Sequence, residues 1–498
     1  WIRCISSMTK WNVGRTRWFR DSPESGTIRN RHMGELSDQH RRNLQAILGK
    51  GALRCGDITQ ALDAGFHPNN LDARVVALPD TTQRVSDTVS YCQAHEIPIV
   101  TQGGRTGLTG AGVTRLGELI LQTTRMNRII DIDENVGTAV VEAGVTLSQL
   151  QEACKGARLS VGVDLSARGS ATLGGMVSTN AGGIQAFRHG ITRHRVLGVE
   201  AVLPDGRLLN ELKRVSKANE GYDIKQLLIG SEGTLGVITK IALDLVEEHN
   251  SSATALISCK NVTDAMRLFR RLRFNSRGSL LCAEIMWPDY ARITAAALKK
   301  TDVLSFACDD DVFVLVEVSG VESISGESCL TRSLEESFEA REITGAIIAK
   351  NERERRDIWV IREESFVADT IYPHGLWYDI SVPHSELASY VEGLFARVRD
   401  LDSELKVLLF GHLGDGNLHL TITSGKELKE LAGAVTEAVF QGLSSMGGSF
   451  SAEHGIGTEK MHSLLIHGDP TKVALMREIK NLLDSKGLMN PGKVIEVL

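Results

Sequence analysis

Between residues 75 and 246, short β-branched runs alternate with stretches whose apolar positions recur at helical spacing, the pattern of strands interleaved with amphipathic helices. The segment 75–78 reads as a strand, 82–96 as a helix with Val85, Val89 and Cys92 on one face, and 97–100 as a buried strand. Further strands are predicted at 118–122, 128–133 and 137–143, with helices at 36–48 and 147–155. Beyond about residue 248 glycine thins out. Helices are expected there at 264–274, 290–299, 333–343 and 385–399, and strands at 312–318, 406–410 and 418–423. That second pattern fits an antiparallel α+β domain. The tail closes with a helix at 471–483, followed by Gly487 and Asn490-Pro491-Gly492. The fold class is therefore α+β. Its expected divisions are 34–248 (core 75–246), a second domain at 249–465 and a C-terminal segment at 466–498 that packs back on the first.

A chain of 498 residues exceeds what one hydrophobic core usually serves, which agrees with two or three domains. Its 42% hydrophobic and 24% charged residues are ordinary for a globular protein. The net charge of -6 is spread over mixed acidic and basic residues, so a nucleic-acid partner is not expected. No apolar run approaches the ~20 residues of a membrane-spanning helix. The eight cysteines are scattered without a CxxC pair, which suits reduced thiols in an intracellular, cytoplasmic protein rather than a zinc ribbon or an iron–sulfur site. The segment 1–33 stands apart. Arg3, Lys10, Arg15, Arg17 and Arg20 precede the first acidic residue, Asp21. It is expected to be a disordered or non-native extension outside the fold, with a mitochondrial-matrix presequence as the alternative.

Glycine concentrates at strand ends in Gly103-Gly104-Arg105-Thr106-Gly107-Leu108-Thr109-Gly110, in Gly174-Gly175 through Asn180-Ala181-Gly182-Gly183, and in 230–236. Glycine permits positive φ and close approach of backbone to a ligand. Successive N–H groups can then form an anion-binding concavity suited to a pyrophosphate. One such loop would be read as a tight turn; three, each after a strand, favour a nucleotide cofactor. Neither GxGxxG nor GxxxxGK[ST] occurs, which disfavours a Rossmann site and excludes a P-loop.

These three loops resemble the FAD-binding domain of the vanillyl-alcohol oxidase / p-cresol methylhydroxylase superfamily, and the second half resembles the cap of its D-lactate / D-2-hydroxyglutarate dehydrogenase branch. The resemblance implies a two-subdomain FAD-binding domain of the p-cresol methylhydroxylase type, an antiparallel cap and a C-terminal segment returning to the flavin. It nominates Gly103, Gly104, Arg105, Thr106, Gly107 and Leu108 around the pyrophosphate. Gly174, Gly175, Thr179, Asn180, Gly183, Glu232, Gly233, Val237, Ile238 and Asn490 are nominated along the rest of the cofactor, with Asp164 and Ser166 near the ring system. Members that tether FAD at the first loop carry histidine directly after Gly-Gly. Arg105 stands there, so the FAD is expected to be non-covalent.

The segment 406–422 reads as a hairpin turning at Asp415-Gly416, a type I′ signal. Counting outward opposes His412 to His419, with Cβ atoms ~4.5–5.5 Å apart. Such a pair could share a divalent cation or simply be two core histidines. Glu453-His454 adds a carboxylate and a base, and two His with one carboxylate is a layout of catalytic zinc. The family resemblance implies His412, His419 and Glu453 as metal ligands and His454 as the base. Zinc comes first, with Mn²⁺ or Fe²⁺ also compatible.

Oxidising a 2-hydroxy acid requires loss of the hydroxyl proton and delivery of the C2 hydride to the flavin N5. A Lewis acid lowers the barrier, and His454 can accept the proton near neutral pH. Arginine suits the substrate carboxylate, and Arg362 is the candidate, the alternative being a surface charge among Arg353, Arg355 and Arg356. In the 2-hydroxyglutarate branch a lysine, a threonine and an asparagine help hold the distal carboxylate. The matching positions here are Trp377, Phe366 and Thr421. A monocarboxylic 2-hydroxy acid with a neutral or apolar side group is therefore expected, with D-2-hydroxyglutarate as the alternative. A flavin-dependent transferase of the alkyl-glycerone-phosphate synthase type is the less favoured class. The resemblance implies an electron-transfer flavoprotein, a cytochrome or a quinone as acceptor; homodimer formation is left open.

Overall fold

The computed structural model describes residues 34–56, 59, 61–248, 252–320 and 325–497. The expectations for 1–33 lie outside the described residues. Among the described residues, 34–248 with 453–497 form one compact unit and 252–452 the other. The chain rejoins the first unit at Glu453, earlier than the expected 466, because the stretch from Glu453 to Gly457 is already hydrogen-bonded to Gly183, Glu232 and Thr109.

The first unit holds two cores, as a two-subdomain arrangement requires. Strands β1 (Leu53–Cys55), β2 (Val75–Ala77), β3 (Ile99–Gln102) and β4 (Leu119–Gln122) form a sheet in the order β1-β2-β4-β3. Its β2, β4 and β3 are parallel, and β1 is antiparallel to β2. Helices α1 (Asp38–Leu48) and α2 (Thr82–Ala94) pack on it. The expected face of α2 is the buried one: Val85, Val89 and Cys92 join Leu44, Leu48 and Leu121 in one core. Both helices start on a side-chain cap, Ser37 accepting from His40 N–H and Thr81 from Arg84 N–H.

The second core lies under β5 (Ile129–Asp133), β6 (Thr138–Glu142), β8 (Val196–Val202), β9 (Leu208–Glu211) and β10 (Val237–Asp244). This antiparallel sheet runs β5-β6-β10-β8-β9. A short pair, β7 (Leu159–Ser160) with β11 (Val246–Glu247), flanks it. Helices α3 (Leu147–Cys154) and α4 (Leu173–Thr179) pack into this core through Leu147, Leu150, Leu173 and Val177. α3 opens on a capping box in which Thr146 and Gln149 satisfy each other's backbone N–H.

In the other unit β12 (Ser252–Cys259), β13 (Leu280–Met286), β14 (Val312–Ser319), β15 (Gly345–Ile348), β16 (Leu376–Ser381), β17 (Lys406–His412) and β18 (Asn417–Thr423) form one antiparallel sheet. Its order, β15-β12-β14-β13-β17-β18-β16, brings together strands far apart in sequence. The unit's longer helices are α5 (Val262–Asn275), α6 (Pro288–Ala297), α7 (Gly326–Glu339), α8 (Glu352–Glu363) and α9 (Leu387–Leu401). Tyr290 of α6 stacks on Phe410 of β17 with ring centroids 4.2 Å apart. Its hydroxyl donates to the carbonyls of Ile361 and Arg362 at the end of α8.

The hairpin register differs from the expected one. His412 pairs with Asn417 and Phe410 with His419. The connection is the four-residue turn 413–416, closed by the N–H groups of Asp415 and Gly416 on the His412 carbonyl. Only Gly416 takes positive φ (+78°), whereas a type I′ turn needs it at both central residues. The slip is by two residues, so it preserves the face. His412 and His419 become diagonal neighbours, with ring centroids 5.4 Å apart.

Candidate functional site

The nominated residues divide between the two units, most of them in the first. In the first unit the three glycine loops are knitted to one another by backbone. Gly104 lies so close to the Ser170 carbonyl that a Cβ would fall 1.8 Å from its oxygen, and Gly103 is similarly pressed on the Thr172 hydroxyl. Thr172 is the N-cap of α4, which carries Gly174 and Gly175. At the far end of α4 the Ser178 carbonyl accepts from Glu232 N–H, joining the third loop. Gly183 takes φ +105°, and a Cβ there would sit 2.1 Å from the Asp164 carbonyl oxygen. Gly107 differs: a Cβ would meet nothing within 4 Å, leaving open space between half-buried Thr106 and Leu108.

Four nominated residues that are not glycine, Arg105, Asn180, Glu232 and Asn490, hold φ between +44° and +57°. Such backbone is uncommon and clusters at ligand-binding sites. Their side chains are nevertheless committed to the protein. Arg105 donates to Gln102, to the Asp63 carbonyl and to Gln122. Asn180 caps Arg193 N–H. Asn490 accepts from Thr101 N–H at 2.8 Å and donates to the Glu232 carbonyl at 2.7 Å, tying the first loop's strand to the third loop. Thr179 donates back to the Gly175 carbonyl, and Asp164 is held by Arg168 Nε and Nη2 at 2.7 Å each, while Ser166 is exposed. Gly233 abuts the Asn490 side chain. Val237 and Ile238 point into the two cores rather than into a loop.

The return at Glu453 is part of this half. Glu453 accepts from Gly183 N–H at 2.7 Å. The Glu232 carboxylate receives Ile456 and Gly457 N–H at 2.7 and 2.8 Å. Burial pushes that carboxyl up to about 7 against those two hydrogen bonds. The His454 carbonyl accepts from the Thr109 hydroxyl.

In the other unit Arg362 is buried (6% exposed) near the end of α8, not a surface charge. Its Nη2 lies 2.7 Å from Glu284, and its guanidinium sits 4.8 Å over the Phe410 ring. Its Nε is buried without a hydrogen-bond partner, an unspent donor that a ligand oxygen would satisfy. Glu284 is fully buried and touches His412 Nδ1 at 2.8–2.9 Å. Burial would raise its carboxyl, but the adjoining His412 and Arg362 outweigh that and hold it below its ordinary value. His419 brings a ligand nitrogen within 4.8 Å of one on His412 and of an Asp379 carboxylate oxygen. Asp379 is fixed by Asn417 Nδ2 at 2.9 Å and Ala452 N–H at 3.1 Å. Trp377 pairs across the strands with Thr421 and meets the Phe366 ring at 5.9 Å, so these three also gather.

Glu284, Asp379 and Asn417 were not among the residues nominated from sequence. Glu284 had a signal, a lone carboxylate inside the apolar strand Leu280–Met286. Two imidazoles with buried carboxylates beside them suit a divalent cation. A guanidinium with a free donor suits a carboxylate.

Two family models match the chain. The model of an FAD binding domain matches residues 73–211, and that of the C-terminal domain of FAD linked oxidases matches 248–494. D-2-hydroxyglutarate dehydrogenase, mitochondrial, of Arabidopsis thaliana is 33% identical, covering 99% of this chain and 88% of its own. The Rattus norvegicus protein of the same name is 35% identical over 85% and 78%. The D-2-hydroxyglutarate–pyruvate transhydrogenase of Saccharomyces cerevisiae is 31% identical over 85% and 86%. Among solved structures, p-cresol methylhydroxylase with substrate bound has a TM-score of 0.72 at 15% identity, covering 93% of this chain and 98% of its own. An alkyldihydroxyacetonephosphate synthase has a TM-score of 0.70 at 17% identity, over 98% and 90%. Those last two likenesses establish the fold alone.

Proposed function

The chain belongs to the family of FAD-linked D-2-hydroxyglutarate and D-lactate dehydrogenases, and from that premise we propose that this FAD-dependent dehydrogenase oxidises a D-2-hydroxy acid to its 2-oxo acid with the help of a divalent cation. The observation that carries the reading is the buried cluster of Glu284, Arg362 and His412 beside His419, with one Arg362 donor unspent. When bound, FAD supplies the two-electron acceptor and the cation supplies charge stabilisation for a hydroxyl losing its proton. Arg362 orients the substrate carboxylate. His454 takes the hydroxyl proton. His412 and His419 would hold the cation. Glu453 is the third proposed ligand, on the family resemblance. With every guanidinium nitrogen of Arg105 engaged by protein, the FAD is non-covalent in this reading, and acid precipitation should release all of it.

The relatives' names support D-2-hydroxyglutarate as substrate. One observation favours a second reading, a monocarboxylate with an apolar side group. Where that branch places a lysine, a threonine and an asparagine, Trp377, Phe366 and Thr421 form a contiguous aromatic-walled patch, which rewards apolar area at about 25 cal/mol per Å². The test is anaerobic flavin bleaching, with and without added zinc or manganese. The substrates are D-2-hydroxyglutarate, D-malate, D-lactate, D-2-hydroxyisocaproate and D-mandelate. Bleaching by none of them would sink the proposal, and the ranking decides between the two substrate readings. The compartment proposed is the mitochondrion rather than the cytoplasm, because relatives carry that location in their names. No helix among the described residues is long and apolar enough to cross a membrane. The electron acceptor proposed is a flavoprotein, cytochrome or quinone, with a 2-oxo acid added by the yeast relative's name.

A further inference from the structure

We infer that Glu284 is a positioning residue that fixes His412 as the Nδ1–H tautomer, so that Nε2 is its ligand nitrogen, and that pins one amino group of Arg362 at the same time. The inference rests on the reading of His412 as a metal ligand. Glu284 sits on β13 directly across from His412 of β17, and neighbouring strands hold paired residues on one face. Both its oxygens approach His412 Nδ1, at 2.9 and 2.8 Å, and one lies 2.7 Å from Arg362 Nη2. Arg362 Nη2 is itself 3.5 Å from His412 Nδ1. A guanidinium can only donate and a carboxylate only accept. Nδ1 therefore faces an acceptor at shorter range than the donor, and the arrangement is satisfied when Nδ1 carries the proton and gives it to Glu284. The lone pair is then left on Nε2, the arrangement by which outer carboxylates orient metal-bound histidines.

Glu284 also separates two groups that would otherwise oppose each other. Without its charge, a buried guanidinium would stand beside a protonated ring nitrogen with no acceptor between them. One carboxylate thus links the group proposed to bind the substrate's carboxylate to a group proposed to bind the cation. Asp379 does not duplicate the role: its Oδ1 is 3.7 Å from His419 Nδ1, beyond a hydrogen bond, and its oxygens are taken by Asn417 and Ala452.

The experiment compares FAD-loaded wild type with Glu284→Gln, titrating zinc by competitive chelation and measuring KM and kcat. Because both carboxylate oxygens approach His412 Nδ1, the amide sets an NH2 donor against that nitrogen in either orientation. Zinc affinity should fall roughly 10–100-fold, and KM should rise while bound FAD stays near wild type. Zinc affinity and KM both within about twofold of wild type would overturn the inference. Should Glu284→Gln fail to fold, nitrogen-15 histidine spectra of zinc-loaded wild type decide instead. His412 bound through Nε2 with a proton on Nδ1 supports the inference, and binding through Nδ1 overturns it. A wild type that takes up no zinc sinks the ligand reading of His412, and the cation half of this inference with it. A wild type that binds zinc, with a variant that binds it equally, sinks the inference alone.

Discussion

Replacing Lys480 with methionine tests how the C-terminal return supports the cofactor loops. Lys480 is 2% exposed on the helix Pro470–Leu483, and Asp484, one turn on, is 0% exposed. The three ammonium donors meet three acceptors: Asp484 Oδ2 at 2.5 Å and the carbonyls of Thr234 and Met489 at 2.8 Å each. Asp484 in turn receives Leu488 and Met489 N–H at 3.0 and 2.8 Å. Methionine keeps the length and apolar stem but strands a buried carboxylate and two carbonyls. Breaking a buried pair from one side costs ~3–5 kcal/mol. The two backbone bonds left to Asp484 put the expectation at about 3 kcal/mol, or roughly 6–12 °C in Tm for a unit of this size. The functional consequence follows from what the tail holds. Met489 pairs with Ile99, and Asn490 reaches Thr101 N–H, both on the strand that runs into the first glycine loop. Lys480→Met should therefore also lose FAD faster on dilution. The assay is thermal unfolding with and without added FAD, alongside flavin-release fluorescence. Lys480→Met/Asp484→Asn should recover about 1–3 kcal/mol of the loss, because the stranded charge is gone. A single variant within about 1 kcal/mol of wild type, or a double variant no better than the single, would refute the reasoning.

Trp377→Lys should shift the kcat/KM ratio of D-2-hydroxyglutarate to D-2-hydroxyisocaproate towards the dicarboxylate. Trp377 is 40% exposed, so the new ion pair is screened and worth up to about 1 kcal/mol, roughly 5-fold; an unmoved ratio removes Trp377 from specificity. His454→Asn should keep its FAD but slow flavin reduction by roughly 10²–10⁴-fold, read by anaerobic stopped flow, since its backbone anchor to Thr109 is independent of the ring. Glu232→Gln puts an amide donor against Ile456 or Gly457 N–H and should cost ~1–3 kcal/mol, seen in thermal unfolding. The wild-type carboxyl is raised to about 7. Its contribution to stability is thus fully present below the ordinary carboxylate pKa and lost as pH rises through about 7. The gap between wild type and Glu232→Gln should accordingly narrow from pH 5 to 8, and a gap that widens would contradict the raised value.

What the chain's own pattern determined is local. The period of Val85, Val89 and Cys92 set the buried face of α2, and the glycines at strand ends marked the three loops that backbone contacts then join. Alternation along β17 and β18 sufficed to place His412 and His419 on one face, because a two-residue slip leaves faces unchanged. Their register lay with the turn, where Asp415 avoids positive φ and a four-residue connection replaces the tighter one. Glu284 shows the limit most clearly. Nothing within 280–286 says what its carboxylate meets, since its partner His412 lies 128 residues away. Only the sheet order β14-β13-β17 sets them side by side. The same holds for Lys480 and Thr234, and for Asn490 and Thr101, contacts spanning 246 and 389 residues. Periodicity is written within an element because side chains alternate or spiral with its backbone. Which element becomes its neighbour depends on how all the apolar faces are buried together, and that is decided only when the whole chain packs.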